Sequence, residues 1–351
     1  MAMNLFRSVL LLLVIVQQSY SQELHFKTVE IDSNVSFRGL SVADDSVAWI
    51  SGARKIKGVY HGAVGKTVNG GKEWKFSLVK GGEKLDYRSI FAFNANEAVI
   101  ANAGAPASIL RTKDGGETWD VVYRSKDSLA FFDGVDFWND REGIIYGDSL
   151  KDGHMLLLIT NDGGRSWQEL PVESRPKLFQ GEASFAASGT GIRCYGKEKV
   201  MVATGGKVSR LFVSMDKGKN WKIILPPVIQ GETTSGIFSF AFKNDSVGIL
   251  VGGDFNKEAS VDKNVFYTRD GGKTWKSPKM TIEGGWRECV EFTGANTAIA
   301  VGPSGLNVTL DEGNTWILVD IKKGFHVIRK ARNGNLVIGA GFDKVYIIEN
   351  H

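Results

Sequence analysis

The sequence predicts an all-β protein built as a closed ring of repeated four-stranded sheets, and three observations predict it. One turn motif recurs six times, its central positions 45, 48, 54, 54 and 41 residues apart. The stretches between copies are short, alternating, and rich in β-branched and aromatic residues, as strands require. The chain also ends with three strand-like segments and begins with one that has no partner of its own. A period of about 40–50 residues with one sheet per repeat marks a β-propeller.

The six motifs are Thr67-Val-Asn69-Gly-Gly-Lys-Glu-Trp74, Thr112-Lys-Asp114-Gly-Gly-Glu-Thr-Trp119 and Thr160-Asn-Asp162-Gly-Gly-Arg-Ser-Trp167, followed by Ser214-Met-Asp216-Lys-Gly-Lys-Asn-Trp221, Thr268-Arg-Asp270-Gly-Gly-Lys-Thr-Trp275 and Thr309-Leu-Asp311-Glu-Gly-Asn-Thr-Trp316. The acidic side chain accepts backbone N–H bonds inside its own turn. The glycine two residues later suits a left-handed backbone. The tryptophan opens the next strand and buries a large ring. Asn69, Asp114, Asp162, Asp216, Asp270 and Asp311 are therefore expected to be structural turn residues rather than catalytic groups or calcium ligands.

Each repeat reads as an inner strand, a Gly-ended second strand, a third strand, the motif and an outer strand. In the second repeat these are SIFAF, EAVIANAG, SILRTKDGG and ETWDVVY. After the sixth motif only GFHVIRKA, NLVIGAG and KVYIIEN remain, while LHFKTVEI stands alone at the start. If LHFKTVEI supplies the last outer strand, the chain makes seven blades over residues 22–351 and leaves no free sheet edge. The competing solution is six blades with a C-terminal extension.

Residues 1–21 carry Arg7, the apolar run Val9–Val16 and small residues at Ser19 and Ser21. This is the pattern of a secretory signal peptide, and the run is too short to span a bilayer. Export to the periplasm or exterior is expected, without a membrane span.

A formal charge of +4 over 351 residues gives no reason to expect nucleic acid. Two cysteines and five histidines show no metal spacing, and neither a cofactor nor a metal is expected. Cys194 and Cys289 fall on inner strands of non-adjacent blades, so two buried free thiols are expected. Gly65-Lys66-Thr67 mimics a phosphate loop, but Tyr60 stands where its first glycine belongs.

The six motifs resemble the Asp-box (bacterial neuraminidase) repeat, S/T-x-D-x-G-x-T-W. The resemblance implies that the boxes lie on outer turns, away from the ligand face. Size, box density, Gly181–Thr190 and the Gly252-Gly-Asp254 turn look closest to exported photosystem II stability/assembly-factor-like propellers. That group implies a binding or assembly scaffold, acting on a protein or carbohydrate partner without catalysis. Sialidases share the repeat and imply the alternative, a glycan-active hydrolase or lyase. The Arg-Ile-Pro segment of sialidases is absent, because Arg38 is followed by Gly-Leu.

In such rings, ligands meet the loops entering the inner strands and those joining second to third strands. Arg38, Arg88, Asp133, Arg287, Glu288 and His326 map to the former; Asp148, Arg210 and Asp254 map to the latter. The arginines suit bidentate capture of a carboxylate or sulfate. Asp133, Asp148, Asp254 and Glu288 are the candidate catalytic carboxylates. Trp286 and Trp138 are candidates for stacking on a sugar ring. A monomer is expected.

Overall fold

The computed structural model describes residues 24–31, 34–279, 283–319 and 324–350. The expected leader at 1–21 lies outside them. Among the described residues the helical content is one 3₁₀ turn, Val172–Ser174. Seven antiparallel sheets pack around a common channel.

Blade 3 illustrates the plan. Its inner strand Phe132–Phe137 pairs with Gly143–Ser149, which pairs with Met155–Thr160, which pairs with the short outer strand Gln168–Glu169. The other inner strands are Val35–Val42, Ser89–Ala92, Ile192–Tyr195, Ser235–Phe242, Cys289–Phe292 and Phe325–Lys330. Central strands read as near-continuous apolar runs because both faces are covered by neighbouring blades.

Closure follows the expected route. Leu24–Glu30 lies antiparallel to Lys344–Asn350, with Leu24 opposite Asn350 and Glu30 opposite Lys344. The seventh blade is thus completed by the start of the chain, which removes the six-bladed solution.

Each box bridges the third strand and the outer part of its blade. In blade 2 the Thr112 hydroxyl donates to Asp114 Oδ1 at 2.9 Å and accepts the Gly116 amide at 3.0 Å. Asp114 in turn accepts the Thr118 amide at 3.0 Å and the Thr118 hydroxyl at 2.5 Å. Gly116 has φ +87°, a conformation that side chains oppose. Hydrogen bonds from the Thr118 hydroxyl and amide hold the Asp114 carboxyl down at about 2. Asn69 keeps the same acceptor role toward the Glu73 amide, at 3.0 Å, without a charge. The box tryptophans then join blades: Trp119 meets the buried Trp49 of blade 1 edge-to-face at 6.2 Å.

Two expectations need correction. Blade 5 lacks a described outer strand: after its box only Lys276 pairs, with Tyr267, before Pro278 interrupts the ladder by lacking an N–H. Its sheet instead grows on the inner side through Gly205–Gly206 and Glu182–Ala183. Both thiols are free, but only Cys289 is fully buried; Cys194 is half-buried near the end of its strand.

Candidate ligand-binding site at the channel mouth

Strand register places one residue per blade on the channel wall. Gly39, Ser89, Gly134, Ile192, Ser239, Cys289 and Val327 occupy equivalent pairing positions on the seven inner strands. The residues immediately before them are Arg38, Arg88, Asp133, Gly191, Phe238, Glu288 and His326. In blades 1, 3, 5 and 7 the register slips at this residue, forming a bulge that re-aims its side chain. Such a bulge brings the inner strand hard against the second strand. A Cβ on Gly147 would sit 1.9 Å from the Phe131 carbonyl oxygen, which is why the second strand carries glycine there.

Five of these seven residues are the ones expected from sequence. Arg287 is not, although it sits beside Glu288. Strand alternation turns it away from the channel. It is fully buried, with Nε donating to Asn307 Oδ1 at 2.8 Å, Nη1 to the Gly284 and Trp286 carbonyls, and Nη2 to the Glu283 carbonyl. Burial lowers its pKa to about 10. Arg287 therefore ties down the loop before blade 6 instead of offering donors to a ligand.

Arg210 is likewise internal. Its Nε and Nη2 grip Glu182 Oε1 and Oε2 at 2.8 and 2.6 Å, and its guanidinium lies between the Phe179 and Phe212 rings. The bidentate capture foreseen for arginine occurs, but on the protein's own glutamate. Asp254 accepts the Thr234 hydroxyl at 2.6 Å and the Asn256 amide at 3.0 Å. Burial pushes its carboxyl up, yet these bonds and the Lys257 ammonium more than offset this and leave it lowered. Asp254 is a turn former. Trp138 lies at the far end of its strand, where its indole N–H donates to the Lys199 carbonyl at 2.8 Å, so it is part of the inter-blade core.

The channel is plugged by a segment that carries neither a strand pattern nor a box. Residues 184–190 cross from blade to blade beneath the mouth. The Ser184 amide donates to Asp148 Oδ1 at 2.7 Å, Arg38 Nη1 donates to the Ala187 carbonyl at 2.9 Å, and the Ser188 hydroxyl donates to the Glu288 carbonyl at 2.9 Å. Thr190 bonds Ser239 at 2.7 Å, and Phe185 stacks flat on Phe238 at 4.0 Å. Glu182, clamped by Arg210, anchors the start of the plug. The signal in the sequence is length: the stretch from Trp167 to Ile192 is the longest between a box and the next inner strand.

Above the plug a pocket of about 480 Å³ remains. One wall is aromatic, with Phe255 in contact with both Phe185 and Trp286, and Phe342, packed on His326, also lines the pocket. The other is polar and ordered by two pairs. Glu288 Oε2 lies 2.7 Å from His326 Nδ1 and 3.2 Å from Arg38 Nη1. Arg88 Nε donates to Asp86 Oδ2 at 2.7 Å, and its side chain keeps 35% exposure. Arg88 is the most open cation of the ring, against 19% for Arg38.

The carboxylates are not open in the same way. Asp133 is fully buried, and burial with Asp148 nearby pushes its carboxyl well above the usual range against the pull of Arg88. Burial also raises Asp148, partly offset by the Ser184 amide. His326 is pulled below its ordinary value by burial, which outweighs the attraction of Glu288. Among the described residues no cluster of three or more His, Cys, Asp or Glu has a metal-binding arrangement. No helix among them is long and apolar enough to cross a membrane.

Fold and site together define an Asp-box propeller with a plugged channel and a mixed aromatic and cationic pocket over the plug. A family model described as "Photosynthesis system II assembly factor YCF48" matches residues 18–129 and 102–225, and a BNR/Asp-box repeat model matches residues 266–277. The chain belongs to this YCF48 family. It is 23% identical over 185 residues to the Arabidopsis thaliana "Photosystem II stability/assembly factor HCF136, chloroplastic". That alignment takes in 50% of this chain and 42% of the Arabidopsis protein. Among solved structures, "YCF48 bound to D1 peptide" superposes with a TM-score of 0.66 at 13% identity, covering 93% of this chain and 96% of the other. YCF48 from Cyanidioschyzon merolae gives 0.66 at 13% identity, over 92% and 98%. The WD40 β-propeller domain of Doa1 gives 0.62 at 11% identity, over 94% and 98%. These structural likenesses concern the fold.

Proposed function

We propose that this chain is an exported, non-catalytic scaffold whose channel-mouth pocket captures a segment of a client protein. The observation that carries the reading is the contrast between open and committed charges. Arg88 gives its Nε to Asp86 but keeps a 35% exposed side chain at the pocket, whereas Glu288 is held by His326 and Arg38 and Asp133 is sealed below. Such a pocket suits a carboxylate attached to an apolar or aromatic group. A solved relative that carries a D1 peptide supports a peptide ligand. The leader-like residues 1–21 support export.

The alternative, a glycan-active hydrolase or lyase, requires two open carboxylates facing a cleft. Asp148 alone of the four candidates lines the pocket while keeping appreciable exposure. Binding to an array of immobilised C-terminal peptides, run beside a glycan array, tests the choice. Peptide binding that is lost in Arg88→Ala and kept in a wild-type-like Asp148→Asn supports the scaffold. Glycan turnover abolished by Asp148→Asn overturns it.

A further inference from the structure

The pocket has a hydrogen-bond acceptor on its polar wall and a donor on its aromatic wall, each without a partner among the described residues. The Glu288 carboxylate accepts at 2.7 Å from His326 Nδ1, so Nδ1 carries the proton of the neutral ring. Nε2 is then a bare lone pair. His326 is 1% exposed and fixed against the Phe342 ring at 4.4 Å, and its Nε2 has no partner among the described residues. Across the same pocket Trp286 is 7% exposed, and its indole N–H is also without a partner among them. Buried polar atoms of this kind call for an explanation, because leaving one unsatisfied is costly. A peptide unit carries one N–H and one C=O, the complement of this pair.

We propose that the pocket reads peptide main chain, with His326 Nε2 accepting a backbone N–H and the Trp286 indole N–H donating to a backbone carbonyl. The inference rests on the reading of the pocket as a peptide site and adds its mode of recognition. Main-chain contacts fix the direction of the bound segment and leave selectivity to the carboxylate at Arg88 and the side chain against Phe185 and Phe255. A range of client sequences sharing that arrangement is accommodated.

Two probes separate this inference from the wider reading. N-acetyl-phenylalanine and O-acetyl-3-phenyllactate share ring, carbonyl and carboxylate, and differ in an N–H replaced by oxygen. Calorimetric or NMR titration is expected to give roughly tenfold weaker binding of the ester to the wild-type protein. In His326→Phe the two probes are expected to bind alike. Equal affinities for the wild-type protein, with both lost in Arg88→Ala, overturn the main-chain inference and leave the pocket reading intact. Absence of any Arg88-dependent binding overturns both. A ligand-free check that needs no variant is the ¹⁵N spectrum of the His326 ring: a protonated Nδ1 with bare Nε2 is expected, and the opposite neutral tautomer overturns the assignment.

Discussion

His326 Nδ1 lies 2.7 Å from Glu288 Oε2, a contact between adjacent blades in which neither residue is more than 1% exposed. Because Arg38 of blade 1 reaches the same oxygen at 3.2 Å, this carboxylate joins three blades at the channel wall. Removing it strands the buried His326 and takes one of two partners from the partly exposed Arg38 Nη1. Glu288→Ala is expected to cost about 1–3 kcal/mol in urea unfolding. A loss below about 1 kcal/mol contradicts the role given to the pair.

The same pair sets a pH dependence. His326 is held below the ordinary histidine value of about 6.5, with Glu288, Arg38 and Arg88 the charged groups facing it. Below that pH the unfolded chain takes up a proton that the folded chain refuses. Stability is therefore expected to fall as pH drops from about 6.5 toward 5. His326→Phe should flatten this slope in melts recorded at pH 5 to 7.5; an unchanged slope argues against the assignment.

The boxes titrate in a lower window. Asp114, Asp216 and Asp270 are each held at about 2 by hydrogen bonds, first among them from Thr118, Asn220 and Thr274. A depressed carboxylate contributes stability that is complete above about pH 4 and disappears as pH falls toward 2. Since Asn69 already serves as a box residue, Asp114→Asn is expected to keep the turn while losing the charge-dependent part of its stability at pH 7, and to be less acid-sensitive. Asp114→Ala, which removes the acceptor, is expected to lower the thermal unfolding midpoint relative to Asp114→Asn.

Arg210 offers a test of the plug. Arg210→Lys cannot reproduce the two-pronged grip on Glu182 and is expected to lose about 2 kcal/mol or more. Hydrogen exchange at residues 182–190 should accelerate by more than it does elsewhere. Uniform acceleration across all blades speaks against a plug anchored at this point.

Gly147→Ala is expected to destabilise by at least about 2 kcal/mol, because its methyl would meet the Phe131 carbonyl at 1.9 Å. Gly58, which has open space around it, is the comparison position on the surface. There φ is +83°, so only the smaller backbone strain applies.

The ring was legible because its signals are local. An eight-residue turn repeats with the same hydroxyl, acid (or its amide, Asn69), glycine and indole, and each copy fixes the register of the strands it joins. Arg38, Arg88, Asp133, Glu288 and His326 were legible too, since each sits in or just before the first half of an inner strand of recognisable pattern. What failed was anything that depends on a single residue of phase or a distant partner. Arg287 and Glu288 are neighbours, and the pleat sends one to the core and the other to the channel. Arg210 meets Glu182 across 28 residues of chain. Phe238 belongs to the ring but gives no polar hint of it, and the plug has no strand pattern strong enough to announce its course.

The pairing of Leu24–Glu30 with Lys344–Asn350 also dictates when the molecule can finish folding. The two halves of that ladder are the first and last parts of the chain to be synthesised in the described region. Until Lys344–Asn350 leaves the ribosome, the growing polypeptide is an open arc whose segment Leu24–Glu30 has no strand to pair with, so the ring locks only late in synthesis.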